Sequence, residues 1–266
     1  MPNNLFVGLM SGTSLDGIDA VVVDFDEANR KARQIACCHD EFPAELKQKL
    51  FAVIQDPDSL DPGLKQKLDA ELASVYSDAT LQLLDTAGLS ADDIRAIGCH
   101  GQTVNHQPDA DPPFSIQLCD GQALADQTGI VTVCDFRRAD IEAGGQGAPL
   151  APGFHEWAFA QSDGVAGVVN LGGIANITVL NPDADLIGYD TGPANTLLDL
   201  WCQEHRDLPY DRHGAWAASG IVDEQLLARM LDDEYFHRAF PKSTGREYFN
   251  RAWLDQQLQA HNTKLS

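Results

Sequence analysis

Apolar residues run from Leu5 to Met10, stop at Ser11-Gly-Thr-Ser-Leu-Asp-Gly17, and resume from Ile18 to Phe25. This pattern predicts strand, tight turn, strand, with Gly12 and Gly17 allowing positive φ and close backbone approach. Ser11, Thr13 and Ser14 add hydroxyl donors, so the turn can wrap an anion such as phosphate with successive N–H groups. A P-loop and a dinucleotide fingerprint both need a helix after the glycines. The β-forming run Ile-Asp-Ala-Val-Val-Val-Asp-Phe from position 18 excludes both. The arrangement recurs: Val165 to Asn170 is β-rich, Leu171-Gly-Gly-Ile-Ala-Asn176 is a glycine turn, and Ile177 to Leu180 resumes the strand pattern. One hairpin near the start of each half predicts a duplicated domain that holds phosphates between two lobes.

Ala44 to Gln55 and Leu64 to Leu84 carry apolar residues at helical spacing, the second through Leu68, Leu72, Val75, Leu81 and Leu84. Ile94 to Cys99 reads as a buried strand ending in His100-Gly-Gln-Thr103. Ile130 to Cys134 reads as another, ending in Asp135-Phe-Arg-Arg138, and Leu186 to Tyr189 as a third, ending in Asp190-Thr-Gly-Pro193. Three strands would then deliver polar clusters at their carboxyl ends, where open α/β sheets place ligands. Ala123 to Thr128 predicts a short helix. The loop Gly144 to Pro149, read as a hinge or lid or as a rigid turn, leads into a helix from Leu150 to Ala160. These readings give a first lobe at 1–136 and a second at 137–266, the latter incomplete because neither a third hairpin nor a closing sheet follows.

Composition narrows the class. At 266 residues and 44% hydrophobic content the chain can bury a substantial core. It contains no run of about 18 uncharged apolar residues, and its Met-Pro-Asn-Asn start lacks a signal peptide's basic flank, so the expected location is cytoplasmic. Six cysteines without CxxC or metal-finger spacing read as reduced, mostly buried thiols. A net charge of −22 opposes nucleic-acid and anionic-membrane partners. The same field repels a nucleoside triphosphate, so phosphate chemistry here needs local N–H donors and a divalent cation.

Asp190 is the sharpest candidate for chemistry, a carboxylate at a strand end beside a helix start that can take a proton from water or a hydroxyl. The competing reading is a helix N-cap. His100 has no nucleophile motif beside it, and with His106 it lacks a third metal ligand, so the His-Gly-Gln-Thr cluster reads as a substrate-binding group. Arg137 and Arg138 stand out in an acidic chain, since a guanidinium fork suits a carboxylate or phosphate; a surface ion pair is the alternative. Lys242-Ser-Thr-Gly-Arg-Glu247 reads either as a phosphate contact or as a helix start with a capping box.

Taken in order, GLMSGTSLDGIDA (8–20), GCHGQTVNH (98–106), DFRRADIEAGGQGAPL (135–150), VNLGGIANIT (169–178), GYDTGPANTLLD (188–199), DRHGAWAASG (211–220) and PKSTGREYFN (241–250) resemble the anhydro-N-acetylmuramic acid kinases. These are peptidoglycan-recycling enzymes of the actin-like ATPase and sugar kinase superfamily. The resemblance implies a two-lobed α/β fold of ribonuclease H-like duplicated domains. It also implies an ATP-dependent reaction that hydrolyses the 1,6-anhydro ring and phosphorylates the 6-oxygen, giving N-acetylmuramic acid 6-phosphate. It maps the general base onto Asp190 and the ATP-binding segment onto Gly12, Thr13, Ser14, Leu15, Asp16, Gly17, Ile18 and Asp19, with Gly172 and Gly173 in the second turn. Gln102, Thr103, Asp135 and Arg137 fall on the sugar-site motifs, Arg137 suiting the lactyl carboxylate. The implied cofactors are ATP and Mg²⁺, with metal ligands unassigned, and the implied partners are the sugar and, by family resemblance, a second copy in a homodimer. Chains of this family continue past position 266 through a Cys-Gly-Gly-Gly-type turn and a final helix. The competing functions are, on that ground, an inactive fragment or a sugar-binding remnant and, independently of it, a phosphohydrolase of the same superfamily.

Overall fold

The computed structural model describes residues 4–12, 15–108, 110–160, 164–246 and 248–261, so Thr13 and Ser14 of the first turn lie outside the described residues. The chain divides into two compact units, Met1–Leu150 and Ala151–Ser266. The divide thus falls after the glycine loop, where the sequence reading put it between 136 and 137. The reason is local: Arg137 Nε donates to His100, Arg137 Nη1 donates to the Gly147 carbonyl, and Asp140 accepts the Gly147 N–H, tying the loop to the first unit.

The first unit is built on β1 (Leu5–Ser11), β2 (Ile18–Asp26) and β3 (Lys31–Asp40), followed by helices α1 (Ala44–Gln55) and α2 (Pro62–Ala87). Then come β4 (Ile94–Gln107), β5 (Phe114–Leu118), α3 (Gly121–Thr128), β6 (Thr132–Val133) and α4 (Phe136–Glu142). The sheet order is β3-β2-β1-β4-β5, with β6 also on β4. β1 runs antiparallel to β2 and parallel to β4. Alternation on β1 and β2 turns Val7, Leu9, Ile18, Ala20 and Val22 inward, against Leu68, Leu72, Tyr76 and Leu83 of α2. Asp61 caps α2 by accepting the Leu64 N–H, Pro62 takes its first position, and left-handed Gly88 ends it.

Two expectations about strands change here. β4 does not stop at Cys99 but runs on through His100–Thr103: its first half pairs with β1, its second half with β5. The apparent terminator Gly101 lies within the strand, left-handed at φ 73°, where a Cβ would stand 2.8 Å from the Leu118 carbonyl oxygen. Only the Cys134–Asp135 cluster follows a strand end, since Asp190 also lies inside its strand. The thiols also divide more than expected: Cys99 and Cys202 are buried, whereas Cys37 is exposed.

The second unit opens with α5 (Ala151–Phe159), then β7 (Ala166–Leu171), β8 (Ile174–Leu180) and β9 (Ile187–Pro193) as an antiparallel meander. Helices α6 (Asn195–Arg206), α7 (Glu224–Leu231), α8 (Glu234–His237) and α9 (Arg251–His261) follow. Its core is aromatic: Tyr235, Phe249, Trp253 and Leu254 pack with Leu197, Trp201 and Phe236. Among the described residues no helix is long and apolar enough to cross a membrane.

Candidate functional site

Each unit carries one glycine hairpin, the first held by the distant Gln102 side chain and the second by backbone N–H groups of residues 194–196. In the first, the Leu15 N–H donates to the Gly12 carbonyl at 3.1 Å, closing the turn. Leu15, not Gly17, takes the left-handed conformation, at φ 57°. Gly17 is required by space instead: a Cβ there would stand 2.2 Å from the Asp40 carbonyl oxygen. Leu15 and Ile18 are buried in the core, so what they offer a ligand is backbone; Asp16 and Asp19 are exposed, and Asp19 bonds His39 at 2.8 Å.

Gln102 is wholly buried, and its amide nitrogen donates to the carbonyls of Gly12 (3.2 Å) and Thr103 (3.1 Å). That ties β4 to the first turn. The Gln102 Oε1 is left buried with no partner, a costly arrangement in a finished core of about 1–3 kcal/mol. Thr103 Oγ1 accepts from Gln117 at 3.2 Å.

Beside them Arg137 and His100 form a half-buried pair. A carbonyl only accepts, so the 2.8 Å contact of His100 Nδ1 with the Gly101 oxygen places the ring proton on Nδ1. Nε2 then accepts from Arg137 Nε at 2.9 Å. Burial, and then the Arg137 charge, hold the His100 pKa below its usual value; burial also lowers that of Arg137. Asp135, left-handed at φ 64° ahead of α4, binds Arg138, which also reaches Glu142. Arg138 is therefore a surface ion-pair residue. His100, Gln117, Asp135, Arg138 and Lys65 line a cavity of about 260 Å³ with Cys119 and Cys134.

In the second unit Asp190 sits within β9, where the ladder slips between Ala175 and Asn176. Its backbone N–H donates to the Lys242 carbonyl (3.0 Å), its carbonyl accepts from the Tyr235 hydroxyl (2.7 Å), and its Oδ2 accepts from the Thr244 N–H (3.0 Å). Asp190 is thus not a helix N-cap: α6 begins later, at Asn195. The Tyr235 phenol is pushed up by burial and by the Asp190 charge, so it stays a hydroxyl donor. Lys242 spends its ammonium on the carbonyls of Tyr235 and Phe236, over the Tyr235 ring. The 242–246 loop is neither a phosphate contact through Lys242 nor the start of a helix, since α9 begins at Arg251; Glu247 lies outside the described residues.

The Gly172-Gly173 turn is bound by the start of α6, whose Asn195 N–H donates to the Gly172 carbonyl while the Ala194 and Thr196 N–H groups donate to that of Gly173. Among the described residues no three His, Cys, Asp or Glu side chains are placed to hold a metal. Tyr235, Thr244 and the His100–Arg137 bond were not legible beforehand, because each depends on partners 37 or more residues away. Of these residues only Tyr235 lies outside the motifs read in the sequence; it is the pairings that have no local mark.

A family model described as "Anhydro-N-acetylmuramic acid kinase" matches residues 4–266. The chain is 48% identical over 256 residues to an anhydro-N-acetylmuramic acid kinase of Vibrio cholerae serotype O1, covering 96% of this chain and 68% of that one. It is 48% identical to those of Vibrio vulnificus and Xanthomonas campestris pv. campestris over 260 residues, covering 97% of this chain and 69% and 68% of theirs. Among solved structures, ethanolamine utilization protein EutJ from Carboxydothermus hydrogenoformans aligns over 97% of this chain and 82% of that one. At 15% identity and a TM-score of 0.33, that likeness bears on nothing below.

Proposed function

This chain belongs to the anhydro-N-acetylmuramic acid kinase family, and on that footing we propose that it opens 1,6-anhydro-N-acetylmuramic acid with water and phosphorylates its 6-oxygen from ATP. The two units are mixed α/β, as a sugar kinase of the actin-like superfamily requires. Asp190 takes the proton of a water that adds to the anomeric carbon; the bond from that carbon to O6 breaks, and O6 accepts the γ-phosphoryl group. The observation that carries this role is the threefold fixing of Asp190 by Lys242, Tyr235 and Thr244, which holds a general base in one orientation.

The buried, unpartnered Gln102 Oε1 suits a donor from the sugar, and Thr103, Asp135 and Arg137 share its motifs. Arg137 is pre-oriented by His100 and Gly147, and a guanidinium suits the lactyl carboxylate. Gly12 to Asp19 and Gly172-Gly173 are the nucleotide-binding segments. At Gly173 the Thr196 hydroxyl stands 2.7 Å from where a Cβ would lie, so the close approach of α6 to this turn requires glycine. Mg²⁺, which ordinarily takes one or two carboxylates plus phosphates and waters, would supply charge neutralisation for the departing phosphates. A cytoplasmic location and a homodimer belong to the same proposal.

The test mixes full-length chain, anhydro-sugar and MgATP and follows the 6-phosphate sugar by mass spectrometry. Asp190→Asn is expected to lower kcat by about 10²–10⁴-fold. Wild-type turnover by Asp190→Asn overturns the base assignment, and phosphate release without sugar favours a phosphohydrolase.

A further inference from the structure

We propose that Cys99 and Cys119 form a reversible intramolecular disulfide when a hydroperoxide enters the cavity that Cys119 lines, a modification that needs neither sugar nor nucleotide.

All six cysteines of the chain are free. Among the described residues one pair of them is in sulfur contact: Cys99 Sγ and Cys119 Sγ stand 3.5 Å apart. The fold holds both backbones in place. Cys99 lies in β4, paired with Leu9 of β1, and is wholly buried. Cys119 directly follows β5; its N–H donates to the Asp69 carboxylate at 3.0 Å, and the Asp120 N–H donates to the Asp69 carbonyl. Between them the Gln102–Leu118 pairing joins β4 to β5. The two thiols are thus kept side by side, and a disulfide needs their sulfurs to close by only about 1.5 Å more.

Exposure assigns the two roles. Cys119 is half-buried and lines the cavity of about 260 Å³ that it shares with Lys65, His100, Cys134 and Arg138, whereas Cys99 is sealed in the core. Cys119 therefore meets the oxidant and Cys99 resolves. The Cys119 thiolate attacks one oxygen of the hydroperoxide, the O–O bond breaks, and the leaving oxygen takes up a proton, so that Cys119 becomes a sulfenic acid. The Cys99 sulfur then attacks the Cys119 sulfur; the S–S bond forms, the S–O bond breaks, and water departs with the Cys99 proton. Two thiols lose two electrons and two protons in all, and hydrogen peroxide is reduced to two waters. The Cys99 thiol beside it, and then burial, push the Cys119 thiol above the usual cysteine range, so thiolate is scarce at neutral pH and the first step is slow. The second step joins sulfurs already in contact, which forestalls oxidation beyond the sulfenic acid.

The experiment treats the full chain with hydrogen peroxide, unfolds it, blocks the remaining thiols with iodoacetamide and digests it with chymotrypsin, whose cleavage after Phe114 and Leu124 separates Cys99, Cys119 and Cys134. Mass spectrometry is expected to show the Cys99 peptide joined to the Cys119 peptide, two hydrogens lighter than their sum and parted again by dithiothreitol, with Cys134 and Cys202 still blockable. Cys99→Ser is expected to lose the link and leave a sulfenic acid on Cys119 that dimedone captures, and Cys134→Ser to form the link at the wild-type rate. The same treatment of the chain unfolded in urea measures chance pairing. A native yield of the Cys99–Cys119 link no higher than in urea overturns the inference. So does Cys119 joined to Cys134, or Cys119 carried to the sulfinic acid with no link formed. Because these outcomes are read in wild type, they decide the matter even where Cys99→Ser does not fold.

Discussion

Replacing Gly17 by alanine adds one methyl group at the most crowded point of the first hairpin. The new Cβ would stand 2.2 Å from the Asp40 carbonyl oxygen and 2.9 Å from His39 Nε2. The first distance is about 1 Å inside contact range, and the obstacle is backbone, so the end of β3 must move. Asp40 pairs with Ile18 and His39 with Asp19, so movement opens the end of this ladder over Ile18, which is 1% exposed. Overpacking of this kind costs about 1–3 kcal/mol, and partial exposure of Ile18 adds about 1 kcal/mol. Together these give about 3 kcal/mol, a fall of about 6–12 °C in melting temperature for a chain of this size. Gly88→Ala is the matched control: nothing lies within 4 Å of its Cβ, but its φ of +68° charges about 1–2 kcal/mol for the left-handed conformation alone. Differential scanning calorimetry of both variants compares close approach with φ. A melting temperature for Gly17→Ala equal to wild type, or equal to that of Gly88→Ala, would falsify the packing argument.

The His100 pKa is depressed, so the stability of its neutral, half-buried form is complete above its ordinary value of about 6.5 and is lost as pH falls below it. Melting temperatures taken between about pH 7 and pH 5 should therefore fall less steeply in His100→Gln than in wild type; parallel slopes would show the ring is not held neutral. Tyr235→Phe removes the donor to the Asp190 carbonyl but keeps the buried ring, and should cost about 1–1.5 kcal/mol. Steady-state kinetics should show a lower kcat with KM for ATP unchanged, and wild-type values of both kcat and melting temperature would show the hydroxyl to be idle.

Both hairpins were legible in the sequence because apolar runs of period-two strands flank short glycine turns, and α1 was legible from Ala44 to Gln55 because Leu46, Leu50 and Val53 repeat at helical spacing. β3 was not read, because an edge strand carries the polar run Lys-Ala-Arg-Gln at its start. The end of β4 was misplaced for a different reason. Gly101 breaks the pattern of side chains without breaking the strand, and only the partner strand β5 shows that the ladder resumes. Asp190 was set in the wrong place, since Thr191-Gly192 resembles a helix start and is in fact a slip in the β8–β9 register. Its holding groups, at Tyr235 and Thr244, come from tertiary packing that no local spacing encodes.

The central claim, that water rather than the phosphate donor opens the sugar ring while O6 receives the phosphoryl group, is tested most directly by turnover in ¹⁸O-water. Full-length protein with anhydro-sugar and MgATP, sampled over a short time course, should yield a 6-phosphate sugar with one solvent oxygen at the anomeric carbon and none in its phosphate group. An unlabelled sugar phosphate, or solvent oxygen recovered in inorganic phosphate with the ring intact, would contradict the account.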